Sequence, residues 1–402
     1  MNKKKLIIFA PTPVYGAGIN LVEAINMYSE KYVAEGWYID KSTYPFYSEK
    51  QKKDWKHVIG SFENLSYVRK VLEKPDVYFF GISGRAVEML LNLYKFYVCL
   101  PPSPLAHDEI EIFDSFAYNG ETSNKTLKLE RHQLLEIGIG ASTAGCFPSI
   151  IELLRLVFPN VSNTQALSML HNLLGHKKLN ERLAFWWTDS LYRKDFENYN
   201  KITELYNIQT FAMLDLLRLS EKSLPLMQTY NIDAKEEKYK DFTVIHTPGH
   251  RESNKKGTDV VKKVAKKLQD IKFNIYGKNS FVPNEQLVSE KVKSHVCVDK
   301  ITKDAMLGTN GVAGGPGKSA LESIYAGIPT ICSMQETLNE RAGRYKDIPI
   351  IDVRNEEDLE KELIKLSTDK KYYNEISNKV EEWAKVLTYE NTVKYLDENL
   401  YK

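Results

Sequence analysis

The densest chemical signal lies in one loop. Gly311-Val312-Ala313-Gly314-Gly315-Pro316-Gly317 runs through Lys318-Ser319 into a short amphipathic helix carrying Ala320, Leu321, Ile324 and Tyr325. Gly327 and Pro329 supply ordinary helix-stop signals. Such a loop turns backbone N–H groups outward beside the positive end of a helix dipole. That is a place for a phosphate or for hydroxyls stripped of water. Glu322 sits in the first helical turn, within reach of a group held there. Gly317-Lys318-Ser319 imitates the end of a Walker A loop. The motif, however, needs a glycine where Val312 stands, and the preceding stretch 303–310 is too polar for its strand.

A second glycine loop follows the apolar run Lys5–Ala10. Gly16 and Gly18 open a helix with Leu21, Val22 and Ile25 on its apolar face. The dinucleotide fingerprint would need a third glycine at Leu21, so an NAD site is disfavoured. Further strands are expected at 37–39, 76–81 and 95–100. Ligands of open α/β sheets gather beyond the carboxyl ends of strands, which places Arg85 and His107 where chemistry would occur. A plain polar loop is the alternative for His107-Asp108. Residues 109–190 carry a polar segment and then helical runs. Their His132, His171 and His176 lack ligand-like spacing, and no metal site is expected. The charged stretch 231–240 reads as a linker. Beyond it, strands at 242–246, 271–277 and 295–299 and a helix at 260–268 imply a second parallel sheet.

The order of features over 242–331 resembles the GT4-like, retaining family of GT-B glycosyltransferases. Chains of that family read strand, arginine, then Lys-Gly before a helix, and Arg251 and Lys256-Gly257 stand in those places. A strand ending in Gly277, an aspartate (Asp299) after a strand, the glycine loop and Glu322 follow in the family's order. The resemblance implies an α/β GT-B fold, two Rossmann-like domains facing across a cleft. It implies an N-terminal, acceptor-side domain over 1–235 with a helical insertion near 109–190. A nucleotide-sugar domain would span 236–386, and a last helix, 387–402, would cross back.

By the same resemblance, Arg251, Lys256 and His107 would serve catalysis. Glu322 would hold the donor ribose, and Gly16, Gly18, Gly277, Gly314, Gly315, Gly317, Lys318 and Ser319 would line the donor site. A guanidinium fork and a lysine point charge suit the developing charge of a diphosphate leaving group. No Asp-x-Asp occurs in the chain, consistent with metal-independent transfer. No cofactor is expected beyond the donor itself, with UDP or GDP as the favoured carrier. The acceptor stays open among a glycan, a lipid-linked sugar and a modified DNA base. One departure matters: the family's first glutamate falls on Gly314. A catalytically degenerate binding domain, a sugar-nucleotide 2-epimerase and a P-loop ATPase are the rivals.

Bulk composition agrees with this class. At 402 residues, 43% hydrophobic and net charge +2, the chain can bury two cores and leans toward neither nucleic acid nor membrane. Four separated cysteines argue against a disulfide framework. No apolar run reaches the ~18 residues of a membrane span. The apolar segment after the first lysines is too short for a signal peptide, so a cytoplasmic location is expected.

Overall fold

The computed structural model describes residues 3–10, 17–38, 53–57, 74–82, 180–188, 207–232, 236–248, 256–276, 284–301, 315–334 and 340–401. It adds single positions at 67, 70, 71, 196, 197, 200, 203, 204 and 282, and the backbone of 109–113 and 126–130.

Short, largely apolar runs become strands, the central ones buried on both faces as parallel sheets favour. The first sheet has seven strands in the order β3-β2-β1-β4-β7-β8-β9, every pairing parallel. They are β1 (Lys4–Phe9), β2 (Tyr32–Tyr38), β3 (Trp55–His57), β4 (Val77–Ile82), β7 (Leu183–Trp187), β8 (Gln209–Ala212) and β9 (Leu224–Pro225). A separate antiparallel pair joins β5 (Glu109–Phe113) to β6 (Thr126–Glu130). Strand order reverses between β1 and β4.

The second sheet has the order β11-β10-β12-β13-β14, again parallel. Its strands are β10 (Thr243–His246), β11 (Lys272–Ile275), β12 (Val296–Lys300), β13 (Thr330–Cys332) and β14 (Ile350–Ile351). Here the order reverses between β10 and β12. In open α/β sheets a crevice opens at such a switch point, beyond the carboxyl ends of the strands. The two parallel sheets are the α/β architecture the sequence implied.

Helix α1 (Ala17–Tyr28) covers the first sheet through Ile19, Leu21, Val22 and Ile25. The second sheet carries α2 (Thr258–Lys267), α3 (Asn284–Lys293), α4 (Lys318–Tyr325), α5 (Glu356–Thr368) and α6 (Lys370–Ala384). The last helix, α7 (Tyr389–Asn399), lies on the first-sheet side against α1. Asp397 of α7 accepts from Ser29 Oγ at 2.7 Å, and Tyr401 donates its hydroxyl to the Phe79 carbonyl at 2.8 Å.

The first-sheet core extends into the second half. Leu321 and Ile324 of α4 pack in the same apolar cluster as Phe211, Leu217 and Tyr230. Arg341 ties the halves by donating to the carbonyls of Leu217, Ser220, Glu221 and Ser223. It thereby caps the 3₁₀ turn Leu214–Leu219 that follows β8.

Two sequence expectations change. Residues 109–190, read as a helical insertion, contribute β5, β6 and β7, and β7 lies inside the first sheet between β4 and β8. Leu183-Ala184-Phe185-Trp186-Trp187 is a continuous apolar run of five, whose periodicity does not separate a buried strand from a helix segment. Helix α3 was not anticipated, because Asn284–Lys293 is mostly charged and polar. The expected strand at 95–100 and the helical runs at 134–174 lie outside the described residues.

Candidate functional site

The site grows from the carboxyl ends of β10 and β12, where the second sheet switches direction. β12 ends in Asp299 and Lys300, and Asp299 is fully buried. Its Oδ1 accepts from Lys256 Nζ at 2.7 Å, and its Oδ2 accepts from the Gly317 amide at 2.9 Å. Burial pushes the Asp299 carboxyl upward, but the Lys256 charge and hydrogen bond, the Lys300 charge and the Gly317 N–H together bring it down to about 2. It is therefore an anion at physiological pH, seated at the N-terminus of α4.

Lys256 reaches Asp299 because its own backbone is fixed. Its carbonyl accepts from Ile301 N at 3.1 Å. The next residue, Gly257, is left-handed (φ +69°), and a Cβ there would lie 1.9 Å from the Ile301 carbonyl oxygen. Only glycine fits. Burial alone would favour a neutral Lys256, yet Asp299 holds its pKa above the ordinary lysine value. The side chain as a whole stays about 25% exposed. At Gly317 the contact is with side chains: a Cβ would lie 2.6 Å from Lys256 Nζ and 3.0 Å from Asp299 Oδ2, crowding that ion pair.

A second ion cluster lies one helical turn further on. Glu322 is 4% exposed and paired with Lys291 of α3, itself 3% exposed, and with Lys318 at 3.3 Å. Burial raises the Glu322 carboxyl, while the Lys291 and Lys318 charges outweigh it and hold the pKa below the usual value. Tyr230, buried beside α4, has its phenol pushed well up by burial and then by the charges of Glu322 and Asp299. Hydroxyls of Ser319 and Thr247 are hydrogen-bonded to each other, linking the first turn of α4 to the end of β10. Behind them, buried His246 donates from Nδ1 to the Val298 carbonyl (2.7 Å), so its Nε2 accepts from Thr258 (2.9 Å). Burial lowers its pKa to about 4, and the ring is neutral.

On the second-sheet side, then, Lys256, Lys291, Lys300 and Lys318 stand against Asp299 and Glu322. Lys291 is sealed; the other three are partly exposed. Lys300 Nζ also donates to the Gly315 carbonyl at 3.3 Å. A helix N-terminus ringed by partly exposed lysines suits an anion of two or more charges.

Of the residues chosen from sequence, Lys256, Gly315, Gly317, Lys318, Ser319 and Glu322 converge here. Glu322 faces lysines within the fold. Gly18 stands in the first turn of α1, beside the first sheet, where a Cβ would meet Trp55 at 2.9 Å. Arg251, His107, Gly16, Gly277 and Gly314 lie outside the described residues. The sequence pointed to Asp299 only as an aspartate after a strand. Lys291 gave no signal, since its helix went unread. Among the described residues, no group of three or more His, Cys, Asp or Glu side chains could hold a metal ion.

Neither a protein-family model nor a curated protein matches the chain. Similar solved structures include HepE of Anabaena in complex with UDP, at 10% identity and TM-score 0.49, covering 98% of each chain. The glycosyltransferase SnogD from Streptomyces nogalater is 10% identical with TM-score 0.42, over 99% of this chain and 100% of that one. An O-GlcNAc transferase mutant of Thermobaculum terrenum is 10% identical with TM-score 0.46, over 99% of this chain and 66% of that one.

Proposed function

We propose that the chain is a GT-B glycosyltransferase whose donor, a nucleoside-diphosphate sugar, binds at the N-terminus of α4. The observation that carries this reading is the meeting of Gly315–Gly317, Lys256, Lys300 and Lys318 at the β10/β12 switch point. The sequence resemblance over 242–331 supplies the reaction class. Transfer from such a donor requires neutralisation of the charge that grows on the departing diphosphate, more than it requires acid–base chemistry on the leaving group. Lys256 and Lys318 supply it as point charges, Arg251 as a fork, and the loop amides as fixed dipoles. On this reading neutralisation comes from the protein without a metal, transfer retains configuration, and His107 faces the donor from the first domain. The acceptor is a glycan, a lipid-linked sugar or a modified base.

Screening UDP-, GDP-, ADP-, CMP- and dTDP-sugars by thermal shift and by release of the nucleoside diphosphate tests it. One carrier series should raise the melting temperature and be turned over. In Arg251→Ala, loss of a transition-state contact of order 2–4 kcal/mol should reduce turnover roughly a hundredfold or more with the fold intact. No shift and no release with any series would refute the proposal. One observation favours a second reading, binding without turnover: Asp299 already engages both Lys256 and the Gly317 amide. A thermal shift without release would select it.

A further inference from the structure

Across the glycine loop from the lysines stands a carboxylate that the site does not yet use. Asp215 lies in the 3₁₀ turn Leu214–Leu219, directly beyond the carboxyl end of β8. It is 9% exposed, among the buried Leu214, Leu216 and Leu217. Its side chain packs on the backbone of Gly315: a Cβ there would lie 2.7 Å from Asp215 Cβ and 3.4 Å from Cγ. The carboxyl edges of the two sheets therefore meet at this point. The Gly315 carbonyl accepts from Lys300. The loop is thus flanked by ammonium groups from the second sheet and by a carboxylate from the first.

We infer that Asp215 is a specificity-determining residue that receives the hydroxyls of the transferred sugar while Lys256, Lys300 and Lys318 hold the diphosphate. The inference rests on the donor-site reading above. Opposite charges on the two sides of one loop orient a ligand that is anionic at one end and neutral at the other. A carboxylate repels phosphate, so the diphosphate lies on the lysine side. A carboxylate has about four lone-pair sites and accepts hydroxyl hydrogens strongly. The same negative charge disfavours an acidic sugar ring. The substrate class is therefore a nucleoside diphosphate linked to a neutral, hydroxyl-bearing sugar, discriminated from a uronate.

The test is calorimetric titration of wild type and Asp215→Asn with UDP, UDP-glucose and UDP-glucuronate, or with GDP, GDP-mannose and GDP-mannuronate if GDP is the carrier. Wild type should bind the neutral sugar nucleotide at least tenfold more tightly than the uronate. Asp215→Asn should bind the free diphosphate within about threefold of wild type, lose roughly ten- to a hundredfold for the neutral sugar nucleotide, and discriminate less against the uronate. Should the asparagine variant fail to fold, by denaturant midpoint, Asp215→Ser takes its place. Unchanged sugar-nucleotide affinity and discrimination would overturn the inference and leave the donor site standing. Equal loss of the free diphosphate in a folded variant would also overturn it, because Asp215 would then shape the loop. Wild type that binds neither carrier, alone or with sugar, would remove the donor-site reading and the inference together.

Discussion

Asp299, at the N-terminus of α4, and Glu322, within it, are both buried acids, both ionised and both paired with lysine, yet they hold different sets of partners. Asp299 grips a lysine whose side chain remains partly exposed, together with the amide that opens the helix. Glu322 grips Lys291, which has almost no contact with solvent, and uses its other oxygen for Lys318. The first arrangement fixes a charge at the start of the helix; the second joins α3 to α4 and also steadies Lys318. A carboxylate at a promising sequence position can therefore also steady cations within the fold.

The largest effect that can break this contrast comes from Glu322→Ala. It leaves the Lys291 ammonium buried without its carboxylate, a loss of about 3–5 kcal/mol. The denaturant midpoint should fall accordingly. A variant as stable as wild type that had lost only sugar-nucleotide binding would return Glu322 to the ribose role implied by its sequence position.

A smaller effect separates the carboxylates from the histidine behind them. His246 binds its proton at about 4 in the folded chain and near 6.5 when unfolded, so the unfolded state holds more protons between those values. Its contribution to stability is complete above pH 6.5 and declines by about 3 kcal/mol as pH falls to 4. His295, whose Nδ1 accepts from Thr243 N, has its pKa lowered by burial and then by Lys238, and it adds in the same direction. Asp299 keeps its charge down to about 2, so its share is lost only below the ordinary carboxylate range. Denaturant midpoints measured from pH 7.5 to 4.5 should fall in wild type and flatten in His246→Gln. An identical slope in the variant would assign the acid sensitivity elsewhere.

The second half of the chain was more legible than the first, for physical reasons. Its strands are short, largely apolar runs separated by amphipathic helices, and Gly257 stands where left-handed geometry and close backbone approach demand glycine. Strand β7 was hidden because its five apolar residues have no period to read. The cluster of loop glycines, Lys318 and Ser319 could be foreseen from the loop alone. The pairings Lys256–Asp299 and Lys291–Glu322 could not, since they join residues 43 and 31 positions apart that only the sheet order brings together. Asp215 was likewise unmarked: one aspartate among leucines gains meaning only when β8 ends opposite Gly315.

The central claim is that the N-terminus of α4 with its partly exposed lysines is a diphosphate site, and titrating wild type and Lys318→Met with UDP and GDP tests it most directly. Lys318 is partly exposed, and its removal leaves Glu322 paired with Lys291, so the fold should persist. Wild type should bind one of the two, more weakly as salt is raised. Lys318→Met should bind it roughly tenfold less tightly at an unchanged denaturant midpoint. Absence of binding in wild type, or a folded Lys318→Met that binds equally well, would contradict the account.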